Sequence, residues 1–165
     1  MATPEVDENN CLKNGFYINN NGSVYWYLNG YFHREDGPAI DHSDGTKIWY
    51  KNGLLHREGG PAFISISCSE WYREGDLHRE DGPAIEYSTG SKCWYINGKR
   101  HREDGPAQFF SDGTKMWYIQ DNLHRVDGPA VEFPNNNSEW FYHGKIMKCS
   151  SQEEFERLLN LKAFW

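Results

Sequence analysis

Five copies of a motif that begins with His-Arg carry the residues of this sequence best suited to chemistry. They read FHREDGP at 32–38, LHREGGP at 55–61, LHREDGP at 77–83, RHREDGP at 100–106 and LHRVDGP at 123–129. Neighbouring imidazole, guanidinium and carboxylate groups suit acid–base catalysis, metal ligation or recognition of a charged partner. The elements that carry the five copies decide among these uses.

The spacing of the copies argues against a metal site. If each copy lies on its own β-hairpin, equivalent histidines are two strands apart, or roughly 9–10 Å. The nitrogen ligands of one zinc ion must lie within about 4 Å of each other, because each sits about 2.0–2.1 Å from the metal. We therefore expect no metal and no other cofactor.

Catalysis is also disfavoured by the repetition. An active site is one asymmetric constellation of groups with distinct roles, whereas these copies are nearly equal. The sequence contains no G-x-S-x-G, phosphate-binding loop or zinc-protease motif. We therefore expect that the protein is not an enzyme.

A 23-residue repeat organises most of the chain. Tryptophan falls at 26, 49, 71, 94, 117 and 140, and the Gly-Pro-Ala triplet keeps the same phase, beginning at 37, 60, 82, 105 and 128. Self-similarity at a fixed period indicates a repeat architecture. The pattern predicts repeats over 24–146, preceded by a polar segment with a first cap strand at 1–23 and followed by a capping helix at 147–165.

Each unit has the signature of a β-hairpin. In DGTKIWYKNGLLHREGGPAFI at 44–64, DG and NG are turn dipeptides that favour type I′ turns, and TKIWYK between them favours a strand. We place degenerate turns at Glu74-Gly75, Asp121-Asn122 and His143-Gly144. The unit with SISCSE at 65–70 lacks one residue, which predicts a tighter connection.

The Gly-Pro pairs must interrupt the second strand of each hairpin. Proline cannot donate to a strand ladder, so it requires a bulge or kink, and we expect the preceding glycine to supply unusual backbone angles. Regular bends would coil the sheet. The predicted fold is therefore all-β, a coiled antiparallel meander of about five to six hairpins with a C-terminal capping α-helix.

The helix prediction has its own signals. Ser151 followed by Glu154 forms a capping box, and Phe155, Leu158 and Leu159 recur at helical spacing. Leu161, Phe164 and Trp165 continue this apolar side. A cap over the open end of the array is one expected role, and docking of a partner is the other.

Two roles for the repeated motif stay open. As a structural network, arginines such as Arg79 would stack on an aromatic ring and bond a carboxylate or the carbonyls freed by the Gly-Pro bend. As a binding stripe, equivalent side chains would line one face for a partner. The candidate stripe comprises His33, Arg34, His56, Arg57, His78, Arg79, His101, Arg102, His124, Arg125, Trp49, Trp71, Trp94 and Trp117. Alternation leaves open whether the tryptophan or the tyrosine column faces the core.

Composition limits the partners and the compartment. The 165 residues carry a net charge of −7, which disfavours binding to duplex nucleic acid, and 26 aromatic residues argue against disorder. The first 20 residues are polar and acidic, unlike a signal peptide, and no apolar run is long enough to span a membrane. The four cysteines, Cys11, Cys68, Cys93 and Cys149, are expected to be free thiols in the cytoplasm.

The unit resembles the MORN repeat. WYKNGLLH at 49–56 and MWYIQDNLH at 116–124 are similar to the family pattern of W.NG..H, and DG turns separate the hairpins. His-Arg-Glu-Asp-Gly-Pro-Ala replaces the family's His-Gly-x-Gly, as in a MORN-like variant class associated with bacterial, phage and large-virus proteins. The resemblance covers about 24–146. It implies a scaffold that binds a partner.

The expected function is therefore binding without catalysis. We expect an inhibitor or adaptor that holds a protein partner on its repeat face, in the form of a host-defence antagonist in the host cytoplasm if the source is a phage or virus. One alternative is a sponge that sequesters a small phosphorylated nucleotide, and another is a MORN-like bacterial antitoxin. The oligomeric state is left open.

Overall fold

A computed structural model describes residues 5–6 and 12–162, with side chains from 13 to 161. The predictions that involve Cys11, Phe164 and Trp165 lie outside these residues. Between Val24 and Met147 the chain is a long antiparallel meander of hairpins, and one short helix follows. The predicted all-β meander with a C-terminal helix is thus confirmed.

One antiparallel sheet of 15 strands extends along the molecule. In hydrogen-bonding order its strands are Glu5–Val6, Leu12–Ile18, Val24–Leu28, Ile40–Asp41, Lys47–Ile48, Phe63–Ile64, Cys68–Glu70, Ile85–Tyr87, Lys92–Cys93, Gln108–Phe109, Lys115–Met116, Val131–Glu132, Ser138–Tyr142 and Lys145–Met147, with Tyr31–Phe32 also paired to Val24–Leu28. Most strands contain two or three residues because each unit contributes only a short ladder before its chain turns into a second hairpin.

Four two-stranded hairpins stand beside this sheet. They pair Tyr50–Lys51 with Leu54–Leu55, Tyr72–Arg73 with Asp76–Leu77, Tyr95–Ile96 with Lys99–Arg100, and Tyr118–Ile119 with Asn122–Leu123. Their turns are type I′, as predicted, since Asn52 and Gly53 both have positive φ (52° and 80°). In the fifth unit the turn lies at Gln120 and Asp121, which have φ of 51° and 63°. Our placement at Asp121-Asn122 was wrong by one residue.

The DG turns differ from the type I′ prediction. Gly45 has a φ of 90°, whereas Asp44 is not in the positive-φ region, and His42 N–H donates to Thr46 O. This is a three-residue loop in which a type I turn precedes a left-handed glycine. In the short unit, Ser65 N–H donates instead to Cys68 O, so the loop has two residues. The predicted tighter connection is confirmed.

The HREDGP motif is a loop that separates the two ladders of each unit, where the sequence predicted one bent strand. Trp49 lies between the ladders. Its N–H donates to Ala62 O at 2.7 Å, and its carbonyl accepts from His56 N–H at 3.1 Å. The same two bonds recur in the four units whose tryptophans are Trp26, Trp71, Trp94 and Trp117. The alanine after each proline is fully buried, so only a methyl group fits beneath the loop.

The buried face of the sheet is the face of the tyrosine column. Ile40, Ile85, Cys93, Tyr118 and Val131, all less than 9% exposed, occupy positions with the same alternation as the tyrosines. The tryptophans lie on the other face, where the first five in the repeats are half-buried and Trp140 is 6% exposed because the C-terminal helix covers it. The structure thereby decides the question that alternation left open.

The helix Gln152–Lys162 closes the C-terminal end of the array. Ser151 Oγ accepts from Glu154 N–H at 3.2 Å, and Glu154 accepts in return from Ser150 N–H at 3.0 Å, so the capping box is confirmed with its second partner shifted by one residue. Phe155 is fully buried against Trp140 and Met147. In the described part of the chain, no helix has the length and apolar character needed to cross a membrane.

Candidate functional site

The histidine of each HREDGP loop joins its unit to the next one. His33 Nδ1 accepts a hydrogen bond from Asn52 N–H, in the I′ turn of the following unit, at 3.0 Å. The equivalent pairs are Glu74 with His56, Asn97 with His78, Gln120 with His101 and His143 with His124, at 3.1, 3.2, 3.3 and 3.1 Å. In each junction the Nδ1 lone pair faces the turn amide, so the bond depends on this acceptor. In the first junction Asn14 Oδ1 takes the same role, accepting from Asn29 N–H at 2.8 Å.

The last of these junctions has a pH dependence whose sign follows from the structure. Burial, and secondarily the neighbouring His143 ring, lower the pKa of His124 below its ordinary value of 6.5. The unfolded chain therefore takes up a proton at His124 before the folded chain does, and the stability of the last unit falls as the pH drops below about 6.5. When the pH is lowered from 7.5 to 5, hydrogen exchange of the His143 amide should accelerate relative to hydrogen exchange of the Asn52 amide.

A matched variant tests this cause. Val126 replaces the glutamate that other loops carry two residues after the histidine. In three of those loops the glutamate carboxylate lies 3.8, 3.3 and 3.6 Å from Nε2 of His33, His78 and His101, respectively. Val126→Glu should raise the pKa of His124. His124→Asn should remove the titrating imidazole. Its side-chain oxygen should still accept the hydrogen bond from the turn, as Asn14 Oδ1 does in the first junction. A pH dependence that persists unchanged in His124→Asn would exclude His124 as its source.

The guanidinium of each loop arginine lies over the tryptophan ring of its own unit. The distance from the guanidinium carbon Cζ to the ring centroid is 4.4, 3.9, 4.1, 4.2 and 4.0 Å for Arg34, Arg57, Arg79, Arg102 and Arg125. Nη1 also donates to the carbonyl of the loop proline in every copy, for example Arg79 to Pro83 O at 3.2 Å. The predicted network of stacking and carbonyl contacts is confirmed.

The glycine before each proline allows this stacking. A Cβ atom added to Gly82 would lie 2.9 Å from Cζ of Arg79, and one added to Gly128 would lie 2.7 Å from Cζ of Arg125. Neither glycine is in the positive-φ region, so the unusual backbone angles that we predicted here are absent. The residue is small because the guanidinium packs against its backbone.

The loop aspartate pairs with the arginine from the solvent side. Asp36, Asp81, Asp104 and Asp127 accept from the Nε of their arginines at 2.7–2.9 Å, and this hydrogen bond lowers the pKa of each carboxyl below its usual value. Arg79 and Arg125 bond a second carboxylate, Glu86 at 3.1 Å and Glu132 at 2.7 Å. Arg57 has no such aspartate because Gly59 takes its place.

The loops therefore hide their cations and display their anions. The arginine side chains are 18–25% exposed where they pair, whereas Glu35, Glu58, Glu80 and Glu103 are 76–91% exposed. We predicted that the histidines and arginines of the candidate stripe contact a partner. In the structure both residue types make contacts within the chain. The glutamates are the outermost groups, and the sequence did not lead us to expect this. The Gly-Pro pair that begins three residues after each arginine was a signal that the arginine turns inward.

Four open grooves lie between successive HREDGP loops. Their volumes are about 700, 670, 640 and 620 Å³, and we number them 1 to 4 from the N-terminus. Trp49, Trp71, Trp94 and Trp117 line grooves 1, 2, 3 and 4 in turn, so the four tryptophans of the candidate stripe each reach a groove. Each volume lies within the roughly 300–1,000 Å³ range of ligand pockets.

The fold and this surface define a β-hairpin repeat protein with a periodic row of grooves. A scan against protein-family models finds no match for the chain, and a search of curated proteins finds none either. Among the described residues, no three His, Cys, Asp or Glu side chains converge as metal ligands would.

Proposed function

We propose that this protein is a non-enzymatic binding module, an inhibitor or adaptor in the cytoplasm, that holds a protein partner along the row of grooves. The observation that carries the proposal is the recurrence of one open groove, with a tryptophan in its lining, between each pair of successive loops. Aromatic side chains supply much of the binding energy in protein interfaces, and repeat arrays present them as extended surfaces.

The chemistry of the loops supports a protein partner over a phosphorylated ligand. A phosphate would need free guanidinium or ammonium donors, whereas the loop arginines are stacked on tryptophan and bonded to proline carbonyls. Carboxylates lie outside these arginines and would repel a phosphate. The nucleotide sponge is therefore the weaker candidate. A phage or viral antagonist of host defence, as the MORN-like resemblance implies, is a narrower form of the function proposed here.

Capture of a partner with matched variants tests the proposal. Glu35, Glu58 and Glu103 are exposed groove-rim carboxylates, and changing all three to Gln removes three charges beside the grooves. Exposed ion pairs are worth about 0.2–1 kcal/mol each, so Kd for a captured and repurified partner should rise about tenfold. The Kd would be measured by calorimetry with purified components.

The control variant changes three exposed glutamates away from the grooves, Glu74, Glu139 and Glu153, to Gln. It should bind the partner as the unaltered protein does. A partner whose Kd changes equally in both variants binds elsewhere. If calorimetry detects binding of a nucleotide and no protein partner is captured, the nucleotide sponge is the better explanation and this proposal is wrong.

A further inference from the structure

The four grooves are of two kinds, which the repeat pattern alone does not reveal. The residue two positions after the groove tryptophan extends on the same face and lines the groove. It is Lys51 and exposed Arg73 in grooves 1 and 2, and half-buried Ile96 and Ile119 in grooves 3 and 4. Each groove of the first pair thus contains an exposed cation, and each groove of the second pair contains an apolar patch beside the tryptophan.

The net charge of the groove lining also differs between the two pairs of grooves. Groove 1 has three carboxylates and three cationic side chains, and groove 2 has the same balance. Groove 3 has four carboxylates against Arg79 and Arg102, and groove 4 has three against Arg102 and Arg125. These arginines are the stacked ones beneath the loops, so grooves 3 and 4 present net negative charge.

We infer that grooves 3 and 4 each take a Lys or Arg side chain of an extended, polyproline-II-like segment of the partner, with the two cations three residues apart. The inference rests on the proposed function and specifies the partner's chemistry. The aliphatic stem of such a side chain packs on Trp94 with Ile96, or on Trp117 with Ile119. Its charged head meets the carboxylates at the rim.

The distance between grooves selects this conformation. Neighbouring units are two strands apart, which corresponds to about 9.4–9.8 Å. A polyproline II helix rises about 3.1 Å per residue with three residues per turn, so residues i and i+3 point the same way about 9.3 Å apart. A β-strand turns residues i and i+3 to opposite sides, and an α-helix advances only about 4.5 Å over three residues. Aromatic-lined grooves are also the usual receptors of polyproline II segments.

Two synthetic peptides of identical composition test the inference by calorimetry on the full chain. The first, acetyl-Pro-Pro-Lys-Pro-Pro-Lys-Pro-Pro-amide, has its lysines at i and i+3, and the second has them adjacent. We expect the first to bind about tenfold more tightly, because only its lysines enter both grooves at once.

The chain supplies its own matched variants. Ile96→Lys with Ile119→Arg gives grooves 3 and 4 the residue types that grooves 1 and 2 carry at this position, and should abolish the tenfold preference. Lys51→Ile is the control, because it changes the equivalent position of groove 1. It should leave the tenfold preference for the first peptide intact, since grooves 3 and 4 are unaltered. The fold already accommodates both residue types at this place.

Equal affinity of the two peptides, or unchanged preference in the double Ile variant, would overturn the inference. A different result would overturn the proposed function itself. A captured partner that loses affinity when Glu35, Glu58 and Glu103 are changed, while neither peptide binds, leaves the proposed function in place and removes the polyproline II partner.

Discussion

Replacing Phe155 by Ala should lower the free energy of unfolding by about 3–5 kcal/mol, the usual cost of removing a fully buried phenylalanine side chain. Phe155 is 0% exposed, and its ring centroid lies 5.1 Å from that of Trp140. The loss should be local as well as global, because the helix covers the last hairpin and terminal caps protect repeat arrays.

Denaturant unfolding and amide exchange together measure this effect. Exchange should accelerate most in 138–147, the hairpin beneath the helix. Leu161→Ala is the control, since Leu161 is 58% exposed and its loss should cost less than about 0.5 kcal/mol. A small effect of Phe155→Ala, with protection of the hairpin retained, would mean that the helix is not a structural cap.

Replacing Arg125 by Leu should cost about 2–3 kcal/mol, because one guanidinium makes four contacts at once. It stacks on Trp117 at 4.0 Å and donates to Asp127, Pro129 O and Glu132. Without Arg125, the half-buried Glu132 keeps only the longer contact with Lys115 Nζ at 3.5 Å, and loss of one partner from a partly buried ion pair is costly. Lysine cannot restore the stack and the forked contacts, so Arg125→Lys should recover little of the loss.

The five loops provide a graded series for this prediction. Arg57 has only its tryptophan and a proline carbonyl, Arg34 and Arg102 add an aspartate, and Arg79 and Arg125 add a glutamate as well. The cost of Arg→Leu should rise in that order, with the exposed Arg157 as a near-neutral control. Equal costs at all five positions would show that the carboxylates contribute nothing measurable.

The network and the grooves arise from the same residues. Each arginine that stacks on a tryptophan covers one face of the ring, and the rest of the ring lines the groove. Loss of Arg79 or Arg125 should therefore disturb the adjacent grooves, whereas the rim glutamates can be changed without loss of stability because they are almost fully exposed. This difference is why the binding tests use the glutamates and the stability tests use the arginines.

Local signals were sufficient to predict much of the fold. The Trp period, the NG turns with their requirement for positive φ and the capping box at Ser151 act over a few residues, and the structure confirms each of them. The turn at Gln120-Asp121 was misplaced because Asp121 and Asn122 are both typical turn formers whereas Gln120 is not, and the alignment with Asn52-Gly53 was the better guide. The DG turns were assigned the wrong type because Gly45 alone satisfies a three-residue loop.

The sequence by itself determined the hairpin repeat, its length and its helical end, since turn chemistry and strand alternation are properties of neighbouring residues. Only the tertiary structure decided which face is buried and that the arginines turn inward while the glutamates turn outward. Those outcomes depend on contacts between ladders that lie apart in the chain, such as a guanidinium held between Trp71 and the backbone of Gly82. The same contacts create the grooves, which no single copy of the motif contains.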